Sequence, residues 1–321
     1  MKIVSLFSGA GGLDRGLTLA GHQIIWANDI FEDAVSTYRN NLGDHIHMRD
    51  ITEVKSSEIP ACDVVVGGFP CQGFSVANRA RRANDPRNIL FHEMVRVVAD
   101  KQPRYFIAEN VKGLLSMEKG EVIKDIKAEF ASAGYRVEHH LVNAADYGVP
   151  QSRWRVIIAG VRNDQQWFRT FPPPATHSDP ALAASLRLKP WLTVGKALAH
   201  FPDPDGGAVV PNHEQSRYKL RFNGHLGHRV IDPQRPSPTV TARGDDRGGV
   251  VVLHHPNNLR RMTARELAAV QSFPDDFVFF GTKTSAYRQI ANAVPPLLGK
   301  AIGIMLSKAD ISMRKNRTEA A

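Results

Sequence analysis

Cys71 stands in the stretch Gly-Gly-Phe-Pro-Cys-Gln-Gly-Phe-Ser, from Gly67 to Ser75. The apolar, β-branched run Asp63 to Val66 leads into it and then breaks into glycine and proline. That pattern predicts a strand ending in a tight exposed turn, which presents the cysteine instead of burying it. A thiol so placed can serve as a nucleophile. The usual fate of an unpaired cysteine is to be a small core hydrophobe. Cys62, beside Pro60 and ahead of the same strand, lacks the flanking glycines and takes that role. Two more groups of chemical interest follow along the chain: Glu109 in Glu-Asn-Val, and Arg153 with Arg155 in Gln-Ser-Arg-Trp-Arg. If the arginines lie on one strand, its two-residue period points both to the same face.

These residues must be held by an alternation of strands and helices. Lys2 to Phe7 reads as a buried strand, Ser8 to Gly12 as a glycine turn and Leu13 to Ala20 as a helix. The turn has neither the spacing of a dinucleotide fingerprint nor the Gly-Lys-Ser/Thr of a phosphate loop, so it suits close approach of a ligand to the backbone without being built for phosphate. A second strand, Gln23 to Ala27, delivers Asn28-Asp29 ahead of a helix from Phe31 to Asn40. Asp29 is placed either to accept both hydroxyls of a ribose or to cap that helix. The strand Ile46 to Met48 delivers Asp50-Ile51, which suits an adenine amino group and ring face, or a turn. Asn78 to Asn88 is a basic loop, readable as a solvated face or as a lid with Arg79, Arg81, Arg82 and Arg87 on phosphates. A helix from Ile89 to Asp100, a strand Arg104 to Ala108 ending at Glu109, a helix Lys119 to Ala133 and strands Tyr135 to Val142 and Arg153 to Val161 complete the pattern. It predicts an α/β fold with a doubly wound sheet, and Gly9, Asp29, Asp50, Cys71 and Glu109 all fall at strand ends, where such sheets bind ligands.

From Phe171-Pro-Pro-Pro the composition shifts toward proline, glycine, histidine and arginine. This divides the chain into a catalytic domain, residues 1–163 plus 284–321, and a smaller domain of irregular and β structure, residues 164–283. Helices are expected at Trp191 to Phe201, Thr263 to Phe273 and Tyr287 to Ser307, the last restarting at Pro295-Pro296. The tail Met313 to Ala321 is expected to be disordered.

With 41 Lys and Arg against 32 Asp and Glu in 321 residues, the formal charge is +9, and the isoelectric point near 9.7 favours polyanions, nucleic acid first. Two cysteines exclude a disulfide framework, and adjacent histidine pairs do not make a zinc site, so no metal is expected. No apolar window approaches a membrane span and the N-terminal apolar run is too short for a signal peptide; a cytoplasmic location is the expectation.

In order, the blocks Leu6 to Leu13, Asn28-Asp29, Asp50-Ile51, Gly68-Phe-Pro-Cys-Gln72, Glu109-Asn-Val111, Gln151-Ser-Arg-Trp-Arg155, Arg235-Pro-Ser-Pro-Thr239 and Gln289-Ile-Ala-Asn-Ala-Val294 resemble those of DNA (cytosine-5)-methyltransferases of the bacterial modification type. The resemblance implies a Rossmann-like methyltransferase sheet with a target-recognition domain. Its activity would be methyl transfer from S-adenosylmethionine to carbon 5 of a cytosine flipped out of duplex DNA. Carbon 5 is too weak a nucleophile alone, so Cys71 adds to carbon 6, and Glu109 supplies a carboxylic acid at ring N3. Arg155 contacts the base, and Arg153 completes the pocket. S-adenosylmethionine would be held by Phe7, Gly9, Gly11, Asp29, Ile30, Asp50, Ile51, Pro70, Asn292 and Val294. DNA would fall to Ser75, to Arg79, Arg81, Arg82 and Arg87 of the basic loop, to Arg243, and to Arg217, Arg221 and Arg229 in the variable region between the Arg153 and Arg235 blocks, which also carries Arg187, Lys189, His213, Lys219, His225 and His228. The final helix lies beside the first strand and completes the cofactor site. A restriction endonuclease companion and a monomeric state are expected. A tRNA cytosine-5-methyltransferase of similar fold shares the cysteine and glutamate blocks, and a non-catalytic DNA-binding relative is the reading from another class.

Overall fold

The computed structural model describes residues 1–70, 89–215, 228–241, 252–256 and 260–319. Seven strands form one sheet: β1 (Lys2–Leu6), β2 (Gln23–Asp29), β3 (Ile46–Met48), β4 (Val64–Gly67), β5 (Tyr105–Val111), β6 (Tyr135–Asn143) and β7 (Trp154–Arg162). Their spatial order is β3-β2-β1-β4-β5-β7-β6. Pairs from β3 through β5 are parallel, while β7 runs antiparallel to both β5 and β6. Chain order therefore reverses between β1 and β4, and a doubly wound sheet opens its ligand crevice at the carboxyl ends of such strands. The glycine turn after β1 and the Gly-Gly-Phe-Pro segment after β4 flank that crevice.

Strand composition accounts for the burial. β4 and the first half of β5 are continuous apolar runs, and β1 is buried from Ile3 to Leu6 with Ser5 as its one polar buried residue, as strands covered on both faces require. One face packs on α1 (Gly12–Leu19), α2 (Glu32–Leu42) and α9 (Pro296–Glu319), the other on α3 (Ile89–Lys101) and α4 (Glu121–Ser132). Insertion of β7 between β5 and β6 needs a glycine: a Cβ on Gly160 would lie 1.8 Å from the Phe106 ring, which stacks on Phe130 at 4.0 Å between centroids.

A third apolar cluster draws on Val194, Ile231, Val240, Leu253, Phe273 and neighbours as far as Ala291, and meets Ala10 of the glycine turn. It is built from α6 (Val194–Leu198), α7 (Ala264–Val270), α8 (Lys283–Asn292) and the short pair β10 (His228–Val230) with β11 (Val252–His254); a second short pair, β8 (His177–Ser178) with β9 (Lys189–Pro190), flanks α5 (Pro180–Leu186).

Several expectations change. The helix predicted from Trp191 to Phe201 forms only over Val194–Leu198, capped by Thr193. The tail predicted to be disordered from Met313 instead continues α9 to Glu319. Residues Lys283–Ala309 are long and apolar enough to cross a membrane, against the expectation that no stretch is, yet most of the apolar part is buried inside the protein. Core packing explains that apolarity. Gly12 and Gly16 of α1 would each place a Cβ 2.2 Å from a carbonyl oxygen, of Val294 and Pro296 respectively, so glycine is what lets the two helices touch.

Candidate active site

Glu109 does not end its strand as expected but lies inside β5, 8% exposed. Arg155 near the start of β7 points to the same face, and its Nε is 2.8 Å from Glu109 Oε1. A second Arg155 nitrogen donates to the Trp154 carbonyl at 2.8 Å, which fixes the guanidinium plane. The other carboxylate oxygen, Oε2, would be 3.5 Å from a Cβ on Gly68, and Asn110 Nδ2 donates to the Phe69 carbonyl at 3.0 Å. Gly68 thus lies in van der Waals range of the carboxylate, and Asn110 ties down the segment that leads in sequence to Cys71. Cys71 itself lies outside the described residues. So do Ser75, Arg79, Arg81, Arg82, Arg87, Arg217, Arg221 and Arg243, and of Arg229 only the backbone, paired with Leu253 in the β10–β11 ladder, is described.

Arg153 corrects the sequence reading. It precedes β7, is 1% exposed, and donates to the carbonyls of Val240 at 3.0 Å, Ala291 at 2.8 Å and Ala293 at 3.1 Å. Burial lowers its pKa, and the nearby Arg155 adds to that. Its terminal nitrogens both bond backbone carbonyls, and it lies ahead of the strand on which the sequence places it with Arg155. Gln151 joins the same clamp: it bonds Gln271 Oε1 at 2.8 Å and accepts from Val240 N at 3.0 Å, while Gln271 reaches Ile290 O at 2.6 Å. Three stretches far apart in sequence are thereby locked at one point. Gln151 stood in a quoted block, but nothing in the sequence marked Gln271.

The crevice on the other side of β4 is organised by Asp29. Oδ2 accepts from Gly9 N at 2.8 Å and Oδ1 from Phe31 N at 2.9 Å. It is therefore a brace between β2 and the glycine turn, and the N-cap position of α2 is Phe31, which makes no side-chain cap bond. Burial raises the Asp29 pKa against the pull of these bonds. The turn is left-handed at Phe7 (φ 55°), Gly9 (φ 54°) and Gly11 (φ 83°). A Cβ on Gly9 would meet nothing within 4 Å, so the backbone there faces open space that a ligand can enter. Asn292 is exposed and Val294 is 8% exposed next to the N-terminus of α1. Pro70 and Ile30 are also exposed, Ile30 at 66%.

Other expected contacts shift. Asp50 caps a tight helical turn, accepting from Thr52 N at 2.9 Å and Thr52 Oγ1 at 2.8 Å, the turn role left open in the sequence. Ile51 is 1% exposed and packs in the core, so its side chain does not line the crevice. His213 is buried between Thr263 Oγ1 at 2.9 Å and the Pro202 carbonyl at 2.8 Å. Arg288 was missed: its guanidinium stacks 3.7 Å from the centroid of Phe31, beside Asp29. No sequence pattern connects α8 to β2.

The C-5 cytosine-specific DNA methylase family matches residues 1–308. The Type II methyltransferase M.NgoFVII of Neisseria gonorrhoeae is 39% identical over 92% of this chain and 83% of its own length. M1.HphI of Haemophilus parahaemolyticus, also a Type II methyltransferase, is 38% identical over 94% and 85%. A crystal structure of a candidate DNA modification methyltransferase encoded within an E. coli prophage superposes with a TM-score of 0.75 at 24% identity, over 97% of this chain and 99% of that one, a likeness of fold. The chain belongs to the C-5 cytosine-specific DNA methylase family and is a DNA cytosine-5-methyltransferase.

Proposed function

We propose that the protein takes its methyl group from S-adenosylmethionine and acts through a covalent bond between Cys71 and carbon 6 of a cytosine turned out of duplex DNA. The observation that carries this is the pairing of Glu109 with Arg155 directly beside the Gly68–Pro70 segment that leads to Cys71. The Cys71 thiolate adds to carbon 6 as Glu109 bonds ring N3 and Arg155 holds the carbonyl oxygen, and carbon 5 becomes enamine-like. The donor supplies an electrophilic methyl group on a sulfonium. Loss of the carbon 5 proton and cleavage of the sulfur–carbon 6 bond then restore the thiolate. Phe7, Gly9, Gly11, Asp29, Ile30 and Asn292 would hold the donor, with Pro70 and Val294 at the edges. The open space before Gly9 and the brace at Asp29 fit a ribose and its neighbours.

A target inside the stack cannot be reached by a protein thiol, so the nucleotide is flipped. The basic residues between the Arg153 and Arg235 blocks, in a recognition unit over residues 164–283, would read the flanking sequence. The Type II methyltransferase names of M.NgoFVII and M1.HphI support a DNA-modification role; pairing with a restriction endonuclease, a cytoplasmic location and action as a monomer are part of the proposal. Duplex DNA containing 5-fluorocytosine, given donor, should become permanently joined to the chain at Cys71. An uncrosslinked product, or transfer of label to tRNA and not to duplex DNA, would overturn the reading.

A further inference from the structure

The first turn of α1 buries a carboxylate that the reaction above does not use. Asp14 is 1% exposed, and accepts from Ser5 Oγ at 2.7 Å and from Tyr38 Oη at 2.8 Å. Each hydroxyl is approached from behind. Ser8 Oγ lies 2.9 Å from Ser5 Oγ and 3.2 Å from the Ser5 carbonyl, and His45 Nε2 lies 3.0 Å from Tyr38 Oη. An ionised carboxylate only accepts, and a hydroxyl that donates to it can still accept from a third group. Donors therefore run inward along two arms, Ser8 to Ser5 to Asp14 and His45 to Tyr38 to Asp14. Ser8 belongs to the glycine turn. Tyr38 reaches that turn a second time, since a Cβ on Gly11 would be 2.8 Å from its ring.

We propose that Asp14 is a positioning residue that holds the turn Ser8 to Gly11 in its cofactor-binding shape, and does so as a carboxylate. The inference rests on that turn being the S-adenosylmethionine site. Protonation makes Asp14 a donor, so one arm must reverse, and the hydroxyls of Ser8 and Tyr38 can no longer both point inward. Burial raises the Asp14 pKa to about 6 against the bonds from Ser5 and Tyr38, which puts the change at mildly acidic pH. Of the groups around it, α2 contributes Tyr38, whose pKa burial raises further. The loop after α2 contributes His45, lowered by burial, with Asp44 raising and His47 lowering it. From β1 comes Ser5, and α9 meets α1 through the backbone at Pro296, Gly299 and Lys300. Asp29 braces Gly9 from the opposite side and is also raised by burial, so it adds a pH dependence of its own.

Calorimetric titration of the full chain with S-adenosylhomocysteine between about pH 5 and about pH 8 tests this. The wild type should weaken as pH falls through the Asp14 range. Asp14→Asn should bind about tenfold more weakly at the upper end, with a shallower pH profile and an unchanged KM for DNA. Tyr38→Phe removes one donor to the carboxylate, so it should move the midpoint of the profile upward. Wild-type affinity and an unshifted profile in Tyr38→Phe would overturn the proposal even if Asp14→Asn failed to fold, as would wild-type behaviour of Asp14→Asn. Failure of the wild type to bind S-adenosylhomocysteine at any pH would remove the reading of the turn itself, and this inference with it.

Discussion

Two arginines flank Trp154 in the block from Gln151 to Arg155, and they make unlike contacts. Arg155 meets a carboxylate at the crevice and is 9% exposed, whereas Arg153 ends on three backbone carbonyls from two other parts of the chain and is 1% exposed. The first arrangement leaves an ion pair next to Gly68, at the head of the segment that leads to Cys71. The second uses up its terminal donors, so its charge serves to fix Val240 and the Ala291–Ala293 segment against β7. A shared motif does not imply shared partners.

The comparison can be broken by separating activity from stability. Glu109→Gln should reduce methyl transfer about a thousandfold, in the range of a lost general acid, with the melting temperature nearly unchanged. A large fall in melting temperature would mean that the crevice pair is structural after all. Arg153→Met strips partners from three buried carbonyls, at roughly 1 kcal/mol each, so chemical denaturation should show a loss of about 3 kcal/mol. Activity per folded molecule should fall far less than in Glu109→Gln, and an equal fall would show that Arg153 touches the base.

Asp14 sharpens the contrast between groups buried for packing and groups buried for function. Its pKa rises from 3.8 unfolded to about 6 folded. A raised carboxyl stabilises the fold fully below its unfolded value, and that contribution is lost as pH climbs through the folded value. Denaturation between about pH 4 and about pH 7 should therefore show stability falling by an amount on the order of 3 kcal/mol from this group, a component missing in Asp14→Asn. Retaining a destabilising charge at neutral pH fits a group kept for positioning. The smallest effect belongs to Cys62, half-buried with its thiol pushed up to about 12 by burial, chiefly, and by Asp63. Cys62→Ala should cost about 1 kcal/mol and leave transfer intact, against complete loss in Cys71→Ser. Reduced transfer by a folded Cys62→Ala protein would undo the assignment of the two thiols.

What could be read without coordinates follows from local physics. Continuous β-branched runs, glycine turns and the periodicity of α1 and α4 gave the alternating elements, because strand and helix periods are short-range properties. The crevice residues were legible because each sits at a change from an apolar run to polar or glycine residues. Neither the antiparallel insertion of β7 nor the interior position of Glu109 could be seen, since register depends on pairing between distant strands. Likewise the sequence showed that Arg153, Asp29, Asp50, Ile51 and His213 were polar or apolar at suggestive places. Only tertiary structure decided which of them faces the crevice, because a side chain's role is set by the atoms that satisfy its hydrogen bonds, and those atoms lie elsewhere in the chain.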